Sequence, residues 1–311
     1  MKICQVCPYT APAKDSQGAE RMIEDLTKGL LELGHEVVMK LNPGSQIDFC
    51  ELVDDIPKNC DIINFHGWDP DTSKLEYEKY DIPWVSTMHG GGTESSEKWL
   101  KSVIGNPHII AVSKFIADRL SLKNYAWTCS NPADYDFNVK KDNYFLWMAG
   151  TDWGEAKGLW STILIAKKLN INLVIAGSGK NQDNIELIKT HCNEKIKYVG
   201  SVNGQEKANL LTNAKALILL SQVPDACPRT VSESLMSGTP IIASNRGALP
   251  ELIREDVGFV CGSQAETVKA IVNINKIRPK DCYEYGLKYF SHTIIAEKYL
   301  QFYQSMINFN K

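Results

Sequence analysis

Leu217–Ala243 reads LILLSQVPDACPRTVSESLMSGTPIIA. Its two ends, Leu217–Leu220 and Ile241–Ala243, are short, branched apolar runs of strand type. Between them a helix opens at Arg229 or Thr230, and Gly238 and Pro240 sit where a helix must stop. Strand, loop, helix, turn and strand again is the unit from which parallel sheets wrapped by helices are built.

The same alternation runs outward to both ends of the chain. Upstream in the second half, strands are predicted at Phe145–Met148, Leu173–Ala176 and Ile196–Val199. The first half has its own set at Ile3–Val6, Val37–Leu41, Ile62–Phe65, Val85–Met88 and Ile109–Val112. Between the first two of these, Ala19, Met22, Ile23, Leu26, Leu30 and Leu33 recur at helical spacing and Gly34 supplies the stop. The pattern restarts after residues 131–143, a stretch with Pro132, aspartates and lysines that interrupts the apolar periodicity. An α/β protein of two Rossmann-like domains follows, residues 1–140 and 141–290. In the remaining residues, 291–311, a wide apolar helical face with Ile295, Tyr299, Phe302, Tyr303 and Met306 must be buried, and we expect it on the first domain.

At 311 residues two domains can each bury a core, and 34 basic against 37 acidic side chains leave no field strong enough to attract nucleic acid or an anionic membrane. No apolar run is long enough to span a bilayer, and residues 1–7 enter a strand without a signal-peptide layout, so a soluble, cytoplasmic protein is expected. Nine scattered cysteines fit reduced core thiols, and the Cys4–Cys7 spacing puts those two on opposite faces of a strand.

Two facing α/β sheets create a cleft at the C-terminal ends of their strands, where such sheets bind ligands. The quoted stretch places two carboxylates there, Asp225 in the loop and Glu233 inside the helix, eight positions apart. Free amides at the helix start, near Arg229, Thr230 and Val231, suit a diphosphate, and a carboxylate such as Glu233 can accept two hydrogen bonds from a ribose diol.

The stretch resembles the acidic-x7-acidic element of retaining glycosyltransferases of family four, which have the GT-B fold, with Asp225 standing where that family usually has Glu. Ser237-Gly238-Thr239-Pro240 and Gly247-Ala248-Leu249-Pro250-Glu251 are also similar. Gln17-Gly18-Ala19-Glu20-Arg21 resembles the family's glycine loop, so Gly18 is expected against the phosphate. His89-Gly90 closes a strand where the family places a histidine on the donor sugar. Residues 145–159, FLWMAGTDWGEAKGL, depart from the family's pattern: Thr151 occupies the place of an Arg, and Lys157 stands one residue late. Arg229 or Arg246 then becomes the candidate second cation on the diphosphate.

The resemblance implies a metal-independent, retaining transfer of a hexose from a nucleotide diphosphate sugar, UDP-linked in the first instance, to an acceptor that the residues do not name. Lys157, His89 and Asp225 would serve catalysis; Gly18, Thr151, Arg229, Thr230, Val231 and Glu233 would bind the donor. No cofactor is expected. A sugar-nucleotide epimerase of the same fold and a catalytically silent nucleotide-sugar binder remain as alternatives. A dinucleotide oxidoreductase lacks its glycine fingerprint, since the first loop offers only Gly18, and Gly177-Ser178-Gly179-Lys180 lacks the rest of a phosphate loop. The triplets Asp69-Pro70-Asp71 and Asp134-Tyr135-Asp136 lie in polar loops and do not read as a metal clamp. His66-Gly67-Trp68 reads as cleft wall. Trp99 to Ile104, with Lys98, Lys114, Arg119 and Lys123, reads as a solvated helix face rather than a membrane contact.

Overall fold

The computed structural model describes residues 1–13, 18–67, 79–90 and 97–309. The chain divides into two compact units, Met1–Cys129 with Phe290–Lys311, and Ser130–Tyr289. Gln17, Trp68, the Asp69–Asp71 triplet and Glu94 lie outside the described residues.

The first unit carries β1 (Lys2–Val6), α1 (Gly18–Glu32), β2 (Glu36–Lys40), β3 (Glu51–Leu52), β4 (Ile62–His66), β5 (Trp84–Met88), α2 (Glu97–Val103), β6 (Ile109–Ala111), α3 (Lys114–Arg119) and β7 (Asn124–Tyr125). All pairings are parallel, in the order β3-β2-β1-β4-β5-β6-β7. The order reverses between β1 and β4, where Ile3 faces Ile62. Strands enclosed on both faces read as continuous apolar runs, which is why they were legible. The two-residue edge strands β3 and β7 were not predicted.

The second unit carries β8 (Phe145–Met148), α4 (Leu159–Leu169), β9 (Leu173–Ala176), α5 (Gln182–Thr190), β10 (Ile196–Gly200), α6 (Gly204–Asn213), β11 (Ala216–Leu219), α7 (Arg229–Met236), β12 (Ile241–Ser244), α8 (Leu249–Leu252), β13 (Gly258–Cys261), α9 (Gln264–Asn273) and α10 (Pro279–Phe290). Its parallel sheet runs β10-β9-β8-β11-β12-β13, with the reversal between β8 and β11. Strand β13 is an addition to the predicted set; it opens on Gly258 and carries only Phe259 and Val260 before Cys261, too few apolar residues to show a period.

The last helix, α11 (His292–Phe309), belongs to the first unit. Its Ile295, Ala296, Tyr299, Tyr303 and Met306 join Ile3, Met22, Leu26, Leu30 and Ile62 in one core. Contact with α1 is backbone-close: a Cβ on Gly29 would lie 2.5 Å from the His292 carbonyl oxygen.

The boundary falls between Cys129 and Ser130, not near Lys140. The polar stretch is tied down within the second unit: Thr212 Oγ1 donates to the Asp136 carbonyl at 2.8 Å, and Asn138 Nδ2 to Asn213 Oδ1 at 3.3 Å. Lys141 Nζ then donates to the carbonyls of Thr212 and Ser237, at 2.6 and 2.9 Å, joining the C-terminal ends of α6 and α7.

None of the nine cysteines is bridged, and Cys4 and Cys7 enter different core clusters, as their spacing requires. Among the described residues no helix is long and apolar enough to cross a membrane. At the end of α2, Val103 is fully buried while Ile104 is exposed.

Candidate functional site

In the second unit the chemistry gathers at the C-terminal ends of β8 and β11, the switch point of the sheet, where ligands of such sheets bind. After β8 the chain makes a 3-10 turn at Thr151–Trp153. The Lys157 amide donates to the Trp153 carbonyl at 2.8 Å, and the Trp147 indole N–H to the Lys157 carbonyl at 3.1 Å. The next residue, Gly158, has φ +70°, and a Cβ there would lie 2.0 Å from the Leu220 carbonyl oxygen, so only glycine lets α4 start this close to β11. Lys157 is thereby held on both sides.

Its ammonium is paired with Asp225 Oδ1, and Asp225 Oδ2 accepts from the Ser221 hydroxyl. The Asp225 side chain is 7% exposed, that of Lys157 24%. Ala248 N donates to the Asp225 carbonyl at 2.8 Å, pinning the loop after β11 to the loop after β12. Lys157 and Asp225, sixty-eight positions apart in the sequence, are brought together as one ion pair.

Glu233 sits deeper than expected of an open ribose site. It is 1% exposed, with Oε1 2.7 Å from Lys207 Nζ and 3.0 Å from Arg229 Nε. Two cations around one carboxylate compensate the cost of burying it. Arg229, 6% exposed, is thus committed to Glu233 in this arrangement. Pro228 caps α7 without a side-chain bond, Thr230 is half-buried, and the Val231 amide is not open to a ligand but donates to the Pro228 carbonyl at 3.0 Å.

Thr151 is 1% exposed. Its amide donates to the Ser178 carbonyl at 2.9 Å, and a Cβ on Gly179 would lie 2.2 Å from its Oγ1. The Asp152 carboxylate accepts from the amides of Lys180 and Asn181, at 2.8 and 2.9 Å, and these bonds lower its pKa. Loops after β8 and β9 therefore interlock where the family has an Arg. Arg246 is exposed and lines a groove of about 640 Å³ with Ser161, Ser221, Asn245 and Gln264.

In the first unit Gly18 is exposed at the first residue of α1. His89 follows β5 and its Nε2 lies 3.0 Å from His66 Nδ1, the two rings stacked with centroids 5.2 Å apart. His66 Nε2 lies 2.7 Å from Gln5 Oε1, and Gln5 Nε2 donates to the Tyr303 hydroxyl at 3.4 Å. Asn64 Nδ2 donates to the same hydroxyl at 2.9 Å, and Thr87 Oγ1 to Asn64 Oδ1 at 3.0 Å. Register explains the grouping, since Gln5 pairs with Asn64 and His66 with Thr87 across adjacent strands. Burial pushes the His89 pKa down to about 4 and that of His66 well below its ordinary value, so both rings are neutral near pH 7. His89 Nδ1 is buried and, among the described residues, has no hydrogen-bond partner. An unsatisfied buried acceptor costs about 1–3 kcal/mol, and such a group calls for an explanation.

His66, read as cleft wall, is the neighbour of His89; Lys207, Ser221 and Gln5 were not singled out at all, and Tyr303 only as part of an apolar helical face. Gln5 and Asn64 did carry a signal, one polar residue each in strands that are otherwise apolar. Lys207 carried none, because its partner lies on another helix. Among the described residues no group of three His, Cys, Asp or Glu is arranged to hold a metal. Of the Asp134–Asp136 triplet, the Asp136 carboxylate takes the Gln205 amide at 3.1 Å.

Residues 139–288 match the family of glycosyl transferases group 1. The match covers nearly all of the second unit. An uncharacterized glycosyltransferase of Methanocaldococcus jannaschii is 32% identical over 98 residues, 31% of this chain and 25% of that protein, so the match spans a quarter of the relative's length. Solved structures superpose over nearly the whole chain. AviGT4, a glycosyltransferase involved in avilamycin A biosynthesis, matches at TM-score 0.77 and 21% identity, covering 99% of this chain and 98% of its own. Sucrose-phosphate synthase from Thermosynechococcus elongatus matches at 0.79 and 18%, covering 99% of each. HepE of Anabaena, solved with UDP and glucose, matches at 0.75 and 13%, covering 98% and 100%. These likenesses establish the GT-B fold that the resemblance implied.

Proposed function

We propose that the protein transfers a hexose from UDP to an acceptor hydroxyl with retention at the anomeric carbon. The observation that carries the reading is Lys157, held at the switch point of the unit that matches the group 1 glycosyl transferases by Asp225 and by backbone bonds on both sides. When the anomeric C–O bond breaks, negative charge grows on the leaving diphosphate, and a fixed ammonium in a half-buried site stabilises that charge without reorganising. Asp225 keeps the ammonium in place, and the N-terminal end of α7 adds its dipole.

Front-face retention, rather than a route through a covalent intermediate, is supported by what the carboxylates are doing. Asp225 is occupied by Lys157 and Ser221, and Glu233 by Lys207 and Arg229. Neither is disposed as a covalent nucleophile. The acceptor oxygen then attacks from the face the diphosphate leaves, the new C–O bond forms as the old one breaks, and the acceptor proton passes to the departing phosphate oxygen. Glu233 takes the ribose diol by exchanging a hydrogen bond with its cations, Gly18 lets the backbone approach phosphate, and His89 holds a sugar hydroxyl. The UDP preference is supported by HepE of Anabaena, solved with UDP and with UDP-glucose.

Thr151 in the place of an Arg supports one second reading, a protein that binds the nucleotide sugar without turning it over. Incubation with UDP-hexoses separates the two. UDP release that rises with added acceptor pools supports transfer. Tight binding with no release supports the silent binder, and sugar interconversion without release would mark an epimerase.

A further inference from the structure

The polar chain behind His89 has a direction, and the direction decides which chemistry His89 can accept. Gln5 Oε1 lies 2.7 Å from His66 Nε2, and Gln5 Nε2 lies 3.4 Å from the Tyr303 hydroxyl. Turning the amide over would make the first an N–H···N contact, short for that pair, and the second an O–H···O contact far longer than such bonds run. The carbonyl therefore faces His66. A carbonyl only accepts, so His66 Nε2 carries the hydrogen, and in a neutral imidazole Nδ1 is then bare. Across the 3.0 Å contact His89 Nε2 must donate.

We propose that the His66–Gln5–Tyr303 chain is a positioning device that fixes His89 as its Nε2–H tautomer, so that Nδ1 meets the ligand as an acceptor and selects a hydroxyl over an anionic oxygen. Nδ1 is buried and without a hydrogen-bond partner among the described residues, in agreement with a lone pair held for a ligand. A phosphate or carboxylate oxygen there would set lone pair against lone pair; an O–H of a hexose would complete the bond. The inference rests on the nucleotide-sugar reading for the identity of the ligand, while the tautomer stands on the geometry alone. It also gives the C-terminal helix a part in recognition, because Tyr303, on α11, terminates the chain and receives Asn64 Nδ2 as well.

The test reads the tautomer directly, by nitrogen-15 spectra of the imidazole rings of the full-length protein without ligand. In the wild type His89 should show a protonated Nε2 and a bare Nδ1. His66→Leu should let His89 sample both tautomers, and His66→Asn, whose carbonyl can stand where Nδ1 stood, should restore the first. Gln5→Leu serves as the second perturbation if His66→Leu does not fold. A protonated Nδ1 in the wild type, or one unchanged tautomer through the leucine variants, overturns the proposal. With ligand, UDP-hexoses in which single hydroxyls are replaced by fluorine, which cannot donate, should identify one position where affinity drops by about tenfold in the wild type and not in His66→Leu. Failure of every UDP-hexose to bind sinks the functional reading and leaves the tautomer result to be judged by itself.

Discussion

The two units solve opposite electrostatic problems. In the second, each carboxylate of the site is matched to cations, Asp225 to Lys157 and Glu233 to both Lys207 and Arg229. In the first, the chain from His89 through His66, Gln5, Tyr303 and Asn64 to Thr87 contains no charge near pH 7, because burial holds both histidines neutral. Fixed charge suits a leaving group whose own charge grows during reaction. Directional neutral hydrogen bonds suit a hydroxyl, whose absence a polar site punishes by leaving its own groups unpaired. The contrast teaches that the two halves should fail differently when cut. Truncating the charged cluster strands a buried ion; truncating the neutral chain loses one bond.

Glu233→Ala puts that contrast to its hardest test. It takes the Glu233 carboxylate away from Lys207 and Arg229, whose side chains are 11% and 5% exposed. We expect a loss of about 3–5 kcal/mol in unfolding free energy by denaturant titration, with UDP affinity also reduced, and partial recovery of stability when Lys207→Met is added. A cost under about 1 kcal/mol would mean that the buried cluster contributes little. Next in size is Lys157→Ala, expected to lower turnover by about 10²–10³, or roughly 3–4 kcal/mol, with a smaller change in donor affinity. Unchanged turnover would hand the diphosphate to another cation, with Arg246 the first to examine.

How much of this was legible follows the same division. Runs such as Phe145–Met148 and Leu173–Ala176 were predicted with the bounds that the structure shows, because a strand enclosed by helices must be apolar at every position. The two-residue strands escaped because nothing that short has a pattern, and β13 because it opens on Gly258 and lacks an unbroken apolar run of the length of β8. Asp225 and Glu233 could be picked out because their spacing across a loop and helix start is local. Their partners Lys207 and Ser221 could not, since these contacts are made by tertiary packing, with no fixed spacing to read. The opening at Val231 was expected from the general behaviour of helix starts, and the Pro228 carbonyl claims it instead.

A smaller effect comes from pH. Relative to the ordinary histidine value of 6.5, His89 is lowered to about 4 and His66 well below, both by desolvation. The unfolded chain then binds protons first as pH falls, so stability rises with pH through this window. The contribution is present above about pH 6.5 and is lost progressively as pH falls, down to about pH 4 for His89, whose shift alone corresponds to roughly 3 kcal/mol, and further for His66. Denaturant midpoints across that range check it, and a double His66→Leu, His89→Leu protein should show a flatter profile. Equal slopes would place the acid sensitivity elsewhere. Smaller again is His89→Ala, expected to weaken the intact donor by about tenfold while leaving UDP alone unchanged, since the ring faces a sugar hydroxyl in the proposed arrangement. Equal weakening of both ligands would make the histidine structural.

The smallest expected effect is none, and it bears on the charged half of the comparison. A divalent cation needs carboxylate oxygens not already neutralised, but Asp225 is shared between Lys157 and Ser221 and Glu233 between Lys207 and Arg229. Adding a dication would compete with ammonium and guanidinium groups already in place, in surroundings where like charges repel strongly. If those cations do the work that a metal does in other phosphate-leaving reactions, chelation should leave turnover within about twofold of its starting value. Turnover should be measured in excess EDTA after overnight dialysis, then with manganese or magnesium restored. Loss on chelation with recovery on manganese would show that the ion pairs of the second unit do not substitute for a metal, and would turn attention to Asp69 and Asp71, the acidic triplet outside the described residues.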